Sequence, residues 1–291
     1  IKTANSIYLH FPFCKHLCNY CDFHKKVAAS NEEVQQYENY LLGSLPKSKQ
    51  LLESNDYTLG DLDTLYIGGG TPSLWGYRGF SFLMESFEKH NITLGNNCEF
   101  TIELNPGGWQ KNDLINIKKL GVNRVSVGIQ SMSETILKRL DRIHSVCDVY
   151  NTLEVLSELD FNFSVDFMLG LPESNGEVRK IETEIEEILK FSPSHISSYI
   201  LTVGKNYLHY NSLPSENFIA DEYIRLSNYL SSRGFLHYEV SNFAKPSKES
   251  RHNLKYWKGQ SVVALGPSAT GFLNKGAGGL RYRWKTSSEP S

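Results

Sequence analysis

Three of the five cysteines of this 291-residue chain fall in one stretch, FCKHLCNYCDF, from Phe13 to Phe23. Cys14, Cys18 and Cys21 have the spacing C-x3-C-x2-C. Three thiolates on one tight loop can bind a soft metal, and two kinds of centre compete for them. Structural zinc takes four protein ligands in a closed tetrahedron. His24 would complete a Cys3His set, and His10 and His16 are also near. A 4Fe–4S cluster usually takes four cysteines, so three would leave one iron open to a small molecule. Zinc loops commonly use C-x2-C pairs, and the longer first interval here favours iron–sulfur. Cys98 and Cys147 stand apart and read as ordinary buried or helix-surface cysteines.

The elements that would carry such a loop are legible from periodicity. Strand patterns occur at SIYLHF from Ser6, DTLYIGG from Asp63, EFTIELN from Glu99, RVSVGIQ from Arg124, FNFSVDFML from Phe161 and HISSYIL from His195. Helical stretches lie between them, among them NEEVQQYENYLL from Asn31 and GEVRKIETEIEEILKF from Gly176. The latter sets Val178, Ile181, Ile185 and Ile188 on one face. Six strand-then-helix units in series imply an α/β fold with a parallel sheet, because parallel neighbours need long crossovers. Active residues then collect at the C-terminal ends of the strands.

Unusual residues do fall there. The cysteines follow the first strand and Gly68-Gly69-Gly70-Thr71-Pro72 the second; Glu103 and Asn105-Pro106 end the third, and Gln130 ends the fourth. Asp166 lies within the fifth, followed by Gly170-Leu171-Pro172. Each alone has a plainer explanation, as a turn, a solvent-facing acid or a helix cap. Together, at five successive strand ends, they suggest a ligand held over one edge of the sheet.

Composition removes several classes of function. Hydrophobic residues make up 40% of the chain, enough for a substantial core. Lys plus Arg number 30 against 32 Asp plus Glu, with no basic cluster, so a sequence-independent grip on nucleic acid is not expected. No apolar run approaches the ~20 residues that span a bilayer, and no secretory signal precedes the first strand. Clustered, odd-numbered cysteines are not the framework of a disulfide-stapled secreted domain. The expectation is a cytoplasmic protein or, with a presequence removed, a mitochondrial one.

The cysteine loop after the first strand resembles the signature of radical S-adenosylmethionine (SAM) enzymes. That resemblance implies a partial (β/α)6 barrel, here with the start of a C-terminal extension. It also implies a 4Fe–4S cluster on Cys14, Cys18 and Cys21 whose fourth iron is chelated by SAM. The segments YLHFPFCKHLCNYCDF, YIGGGTPSL, ELNPG, GVNRVSVGIQS, LKRLDRIHS, DFMLGLP and YEVSNFAKP…RHNLKYW resemble, in order, one subgroup. It comprises the oxygen-independent coproporphyrinogen III oxidases and their haem-chaperone relatives. By that likeness Tyr8 and Tyr20 flank cluster and SAM, and Gly69, Gly70 and Thr71 meet the methionine end. Glu103, Gln130 and Asp166 hold the ribose side, and Arg142 the carboxylate.

Three features lean toward the chaperones. The oxidases carry a further cysteine two places after the third, where this chain has Phe23. The chain opens almost at its first strand, without the oxidases' N-terminal extension. His252-Asn253-Leu254-Lys255-Tyr256-Trp257 matches an H-N-x-x-Y-W motif associated with haem, which makes His252 the expected axial ligand. Haem would then be cargo, passed to an unidentified acceptor protein, with an electron donor as a second partner and peripheral membrane association where acceptors sit. Ser268 and Thr270 depart from the family's usual G-x-G-A-H-G. Residues 1–235 are expected to form the barrel and 236–291 a truncated C-terminal region, ending in the solvated tail KTSSEPS.

Overall fold

The computed structural model describes residues 1–172, 179–276 and 279–283. Six parallel strands neighbour one another in chain order: β1 (Lys2–Phe11), β2 (Tyr57–Gly69), β3 (Leu94–Leu104), β4 (Arg124–Gln130), β5 (Asn162–Leu169) and β6 (His195–Ile200). Helices make the crossovers: α1 (Asn31–Glu53), α2 (Gly76–Lys89), α3 (Lys111–Lys119), α4 (Glu134–Arg139), α5 (Val146–Glu158) and α6 (Ile181–Leu189). All six expected strands are present. The first three begin earlier than their apolar cores, and register shifts at Ala4/Ser6 and Leu62/Thr64 explain why strict periodicity lost them. Of the helix expected from Gly176, residues 176–178 lie outside the described residues, as does the tail KTSSEPS.

Parallel sheets covered on both faces usually read as near-continuous apolar runs. This one alternates instead. Ile7, Leu65, Ile102, Val127 and Val165 face the helices and are at most 1% exposed. Tyr8, Tyr66, Glu103, Ser126 and Asp166 occupy the opposite, concave face, as the period of two requires. The pairing aligns them in rows: Tyr8 beside Tyr66, Glu103 beside Ser126, Ser126 beside Ser164. The outer face therefore supplies the core, at roughly 1.5–3 kcal/mol per fully buried large side chain. The lumen is reserved for polar groups.

The chain continues through α7 (Glu216–Ser232), β7 (Leu236–Glu239), β8 (Asn242–Ala244), α8 (Arg251–Trp257), β9 (Val263–Leu265), β10 (Thr270–Leu273) and β11 (Leu280–Arg283). β8 pairs antiparallel with β6 and β7, while β9 pairs parallel with β1, which gives the order β9-β1-β2-β3-β4-β5-β6-β8-β7. Strand pairing thus crosses the boundary expected after residue 235. Residues 236–265 extend both edges of the same sheet, because Phe243, Ala244, Val263 and Leu265 bury their side chains on it. β10 and β11 form a separate two-stranded sheet. None of the described helices is long and apolar enough to cross a membrane.

Leu265→Ala should cost about 2–5 kcal/mol and shift one cooperative denaturation transition, followed in parallel by circular dichroism and fluorescence. Two transitions, with only the smaller one moved, would restore residues 236–265 to a unit of their own.

Candidate functional site

The cysteine loop leaves β1 at Phe11 and is closed by a short parallel pairing of Phe13–Cys14 with Lys26–Val27. Its base is aromatic: Phe11, Phe13, Tyr37 and Trp75 stack or meet edge-on, with centroids 5.3–5.8 Å apart. Tyr37 Oη donates to the His10 carbonyl at 2.8 Å. Within the loop the Cys21 amide donates to the Cys18 carbonyl. Cys14 is buried, Cys18 and Cys21 are half-buried, and all three are free thiols. Burial pushes the Cys14 thiol up; a hydrogen bond with Thr71 opposes this, while Cys21 and Cys18 add to it.

Arg142 ties this loop to the sheet. Its Nη1 lies 3.4 Å from Tyr20 Oη and 3.7 Å from Cys18 Sγ. Its Nη2 donates to Asn105 Oδ1 at 2.7 Å and to the Gly128 carbonyl at 2.8 Å. Asn105 in turn donates to Thr71 Oγ1 at 3.1 Å. Enclosure raises the Tyr20 phenol to about 12, although Arg142 works against it. One chain of contacts therefore runs from Cys14 through Thr71, Asn105 and Arg142 to Cys18.

The glycine run follows from close approach. Gly69 has φ +113, and a Cβ there would lie 2.5 Å from the His10 ring; at Gly70 it would lie 2.5 Å from the Phe13 carbonyl oxygen. The Gly70 and Thr71 amides donate to the Phe11 and Phe13 carbonyls, which brings the β2 end against the cysteine loop. The Gly69 amide also donates to Glu103 Oε2 at 3.0 Å, and Tyr66 Oη to Glu103 Oε1 at 2.8 Å. Glu103 and Asp166 are enclosed together in the lumen. Desolvation and then the charge of Asp166 push Glu103 up to about 7. Desolvation lifts Asp166 to about 6 despite hydrogen bonds from Ser126 and Ser197. Tyr8 Oη lies 3.1 Å from His10 Nδ1. Gln130 adopts the left-handed φ of +67 at the end of β4.

The expected residues thus form two connected groups. Cys14, Cys18, Cys21, Tyr20, Thr71 and Arg142 surround the mouth, while Tyr8, Gly69, Glu103 and Asp166 lie on or above the concave face. Gln130 and Gly70 sit between them at strand ends. Asn105, expected at the end of the third strand, holds Arg142 and Thr71, whereas Tyr66 and Ser126, which hold Glu103 and Asp166, were not among the expected residues. Alternating polar residues within the strand patterns were the signal for those two.

His252, expected as a haem ligand, lies inside the fold. It is 1% exposed, with Nδ1 2.8 Å from Thr64 Oγ1 and Nε2 3.4 Å from Tyr256 Oη. Its ring packs against Tyr66 and Tyr8, at centroid distances of 5.2 and 6.4 Å. Desolvation lowers it to about 3, so it is neutral. The Arg251 and His252 amides donate to Glu99, which fastens the start of α8 beneath the lumen. In this conformation His252 offers no free nitrogen to an axial bond. Ser268 has φ +61 and Thr270 is exposed at the start of β10.

The loop offers three free thiols as its donor set. Among the described residues no three His, Cys, Asp or Glu side chains converge as one ion would demand. His16 pairs with Asp141 at 2.8 Å, and His10 Nε2 is engaged with the His24 carbonyl at 2.8 Å. A cluster needs only one thiolate per iron. Three free thiols beside a guanidinium fit it.

Comparison with known proteins agrees. The sequence model of the radical SAM superfamily matches residues 8–185. A protein of Buchnera aphidicola (subsp. Schizaphis graminum) named heme chaperone HemW is 33% identical over 273 residues, covering 93% of this chain and 70% of its own length. The Lactococcus lactis protein of the same name is 32% identical, covering 97% and 72%. The structure of Escherichia coli coproporphyrinogen III oxidase (HemN) superposes with a TM-score of 0.77 at 21% identity. The match covers 93% of this chain but only 64% of that one, and supports the fold.

The raised carboxyl of Glu103 makes a pH prediction for the ligand-free protein. An acid raised on folding stabilises fully below its ordinary value of 4.5, and that contribution is lost as pH rises through about 7. Glu103→Gln removes the loss, so its melting temperature relative to wild type should climb between these pH values and then level off. A difference constant across the window would refute the enclosure of this carboxyl.

Proposed function

The chain belongs to the radical SAM superfamily, and we propose that it is a haem chaperone of the HemW type, with a 4Fe–4S cluster and a SAM site. The observation that carries the reading is the chain of contacts from Cys14 to Cys18 through Thr71, Asn105 and Arg142, which fixes the cysteine loop over the strand ends. Cys14, Cys18 and Cys21 would hold the cluster, with Arg142, Glu103 and Asp166 positioned to hold SAM beside it. In this superfamily the cluster supplies the single electron that cleaves SAM to methionine and a 5′-deoxyadenosyl radical.

The chain's own residues do the binding and shielding. Arg142, anchored at both terminal nitrogens, places positive charge beside the thiolates, where a SAM carboxylate also needs it. Glu103 is oriented by Tyr66 and Gly69, and Asp166 by Ser126, so both carboxyls are set to accept from sugar hydroxyls. Gly69 and Gly70 let backbone amides come close without side-chain bulk. Tyr20 lies enclosed beside Arg142, its Oη 3.4 Å from Nη1.

The chaperone reading is supported by the two HemW relatives and by Phe23, which stands 67% exposed where the oxidases carry a further cysteine. Haem is the cargo, and the role implies an acceptor protein and a reductant. Its axial ligand is not assigned to His252, which is locked under the lumen.

Three outcomes are expected. Cys21→Ala should lose the visible absorption and the iron of an anaerobically reconstituted sample; retention of stoichiometric iron would sink the cluster assignment. Reconstituted protein given SAM, reductant and coproporphyrinogen III should form no protoporphyrinogen, and its formation would make the protein an oxidase. Haem titration of His252→Ala should leave the Soret band intact while the melting temperature falls. Loss of the band at unchanged melting temperature would return the ligand role to His252.

A further inference from the structure

An ion network outside the lumen has no part in the site as described. Arg179 Nε pairs with Glu184 Oε1 at 2.6 Å, and Arg179 Nη1 lies 3.9 Å from Glu222 Oε1. The three side chains are 9, 12 and 2% exposed. Two acids around one arginine, this enclosed, are costly unless every remaining lone pair is used. The uses made of them are specific.

Glu184 Oε2 accepts from Ser131 Oγ at 2.7 Å and from the Met132 amide at 2.6 Å. Those are the two residues after Gln130. Glu222 Oε2 accepts from the Gly170 amide at 2.9 Å, and Arg179 Nη1 donates to the Met168 carbonyl at 2.5 Å. Those lie four and two residues after Asp166. The guanidinium also sits 4.5 Å over the Phe167 ring, and Phe167 is the register partner of Gln130. The network therefore grips the ends of β4 and β5 at the same level.

That level is where the backbone is strained. Gln130 has φ +67, the strand register shifts between Gly128 and Gln130, and the Ser131 amide turns back onto the Ile129 carbonyl at 2.9 Å. A left-handed glutamine persists only when its surroundings hold it. Fixing the next two residues through one carboxylate oxygen does this. The Gln130 side chain is thereby kept over Gly128, near Asn105 Oδ1 and Arg142 Nη2, as their distances from a Gly128 Cβ of 2.9, 3.2 and 3.6 Å require.

We propose that Glu184, braced by Arg179 and Glu222, is a positioning residue that locks the Gln130 turn and so aims Gln130 at the SAM ribose. The inference rests on the SAM reading of the site for its functional half and on the turn alone for its structural half. The residue acts from the helix side and would touch no ligand.

Glu184→Gln keeps the shape but removes the charge facing Arg179; Ser131→Ala is a milder variant that deletes only the hydroxyl in the link. Hydrogen exchange followed by mass spectrometry, and SAM affinity by equilibrium dialysis of the reconstituted protein, are measured for both. Exchange should accelerate in the peptide covering 129–134 and stay unchanged in α1. SAM affinity should fall roughly tenfold for Glu184→Gln, the size expected for residues within one hydrogen-bond network. In a Gln130→Ala background the same substitution should add little, because the residue being aimed is gone. Unchanged exchange at 129–134 in both variants would overturn the lock. An equal loss of affinity with and without Gln130 would overturn the aiming role and leave Glu184 as a general stabiliser. If wild type itself binds no SAM, the reading of the site fails, and the exchange measurement still decides the lock.

Discussion

Enclosing two carboxyl groups together is the constraint to which this structure answers. Glu103 and Asp166 face the same lumen on strands β3 and β5; desolvation raises both, and the charge of Asp166 adds to the rise at Glu103. A carboxylate withdrawn from water must be hydrogen-bonded or it takes up a proton. Donors are accordingly supplied from adjacent strands, by Tyr66 and the Gly69 amide for one acid and Ser126 for the other. Such a lumen cannot also be the hydrophobic core. The opposite face of the same strands must provide that, and the strict alternation of the sheet is the consequence.

The loop above the lumen is governed by a similar requirement with charge of the other sign. Thiolates crowded at the end of one strand repel one another, and Cys14 is held up by burial and by its two neighbours. Arg142 brings permanent positive charge to within 3.7 Å of Cys18 Sγ. Because the guanidinium is also bound to Asn105 and Gly128, the same group that contacts Cys18 fixes the loop to β3 and β4. Removing it would therefore disturb charge and geometry together.

These relations explain what could be read from the chain. Cys14, Cys18, Cys21, Thr71 and Arg142 were legible because a motif places them at loops, where residue type is set by ligand chemistry. Six strands were legible because their outer faces repeat apolar residues every second position. Tyr66 and Ser126 were not, since an isolated tyrosine or serine in a strand pattern is compatible with either face. The pairing that crosses residue 235 was not legible for a different reason: strand pairing over long separation, such as Ile7 with Val263, leaves no local trace. Glu184 was hidden in plain periodicity, an acid on the polar side of a helix whose buried face is Ile181, Ile185 and Ile188.

The same reasoning accounts for the fate of the H-N-x-x-Y-W segment. A short helix closing the lower end of a polar lumen needs partners for its own first amides, and Glu99 supplies both oxygens to Arg251 and His252. Negative charge at a helix N-terminus is favourable on its own account. Lys255 then reaches Asp63 at 2.9 Å on β2, and the imidazole enters the lumen to meet Thr64. A neutral histidine suits that position because it satisfies a hydroxyl without adding charge to a space already holding two acids. These contacts hold α8 and His252 beneath Tyr8 and Tyr66, while the cysteine loop and Arg142 lie at the strands' C-terminal ends. Cofactor chemistry confined to that end needs a rigid rim more than a deep cavity, and the contacts at Gly69, Asn105, Gly128 and Gln130 are the rim.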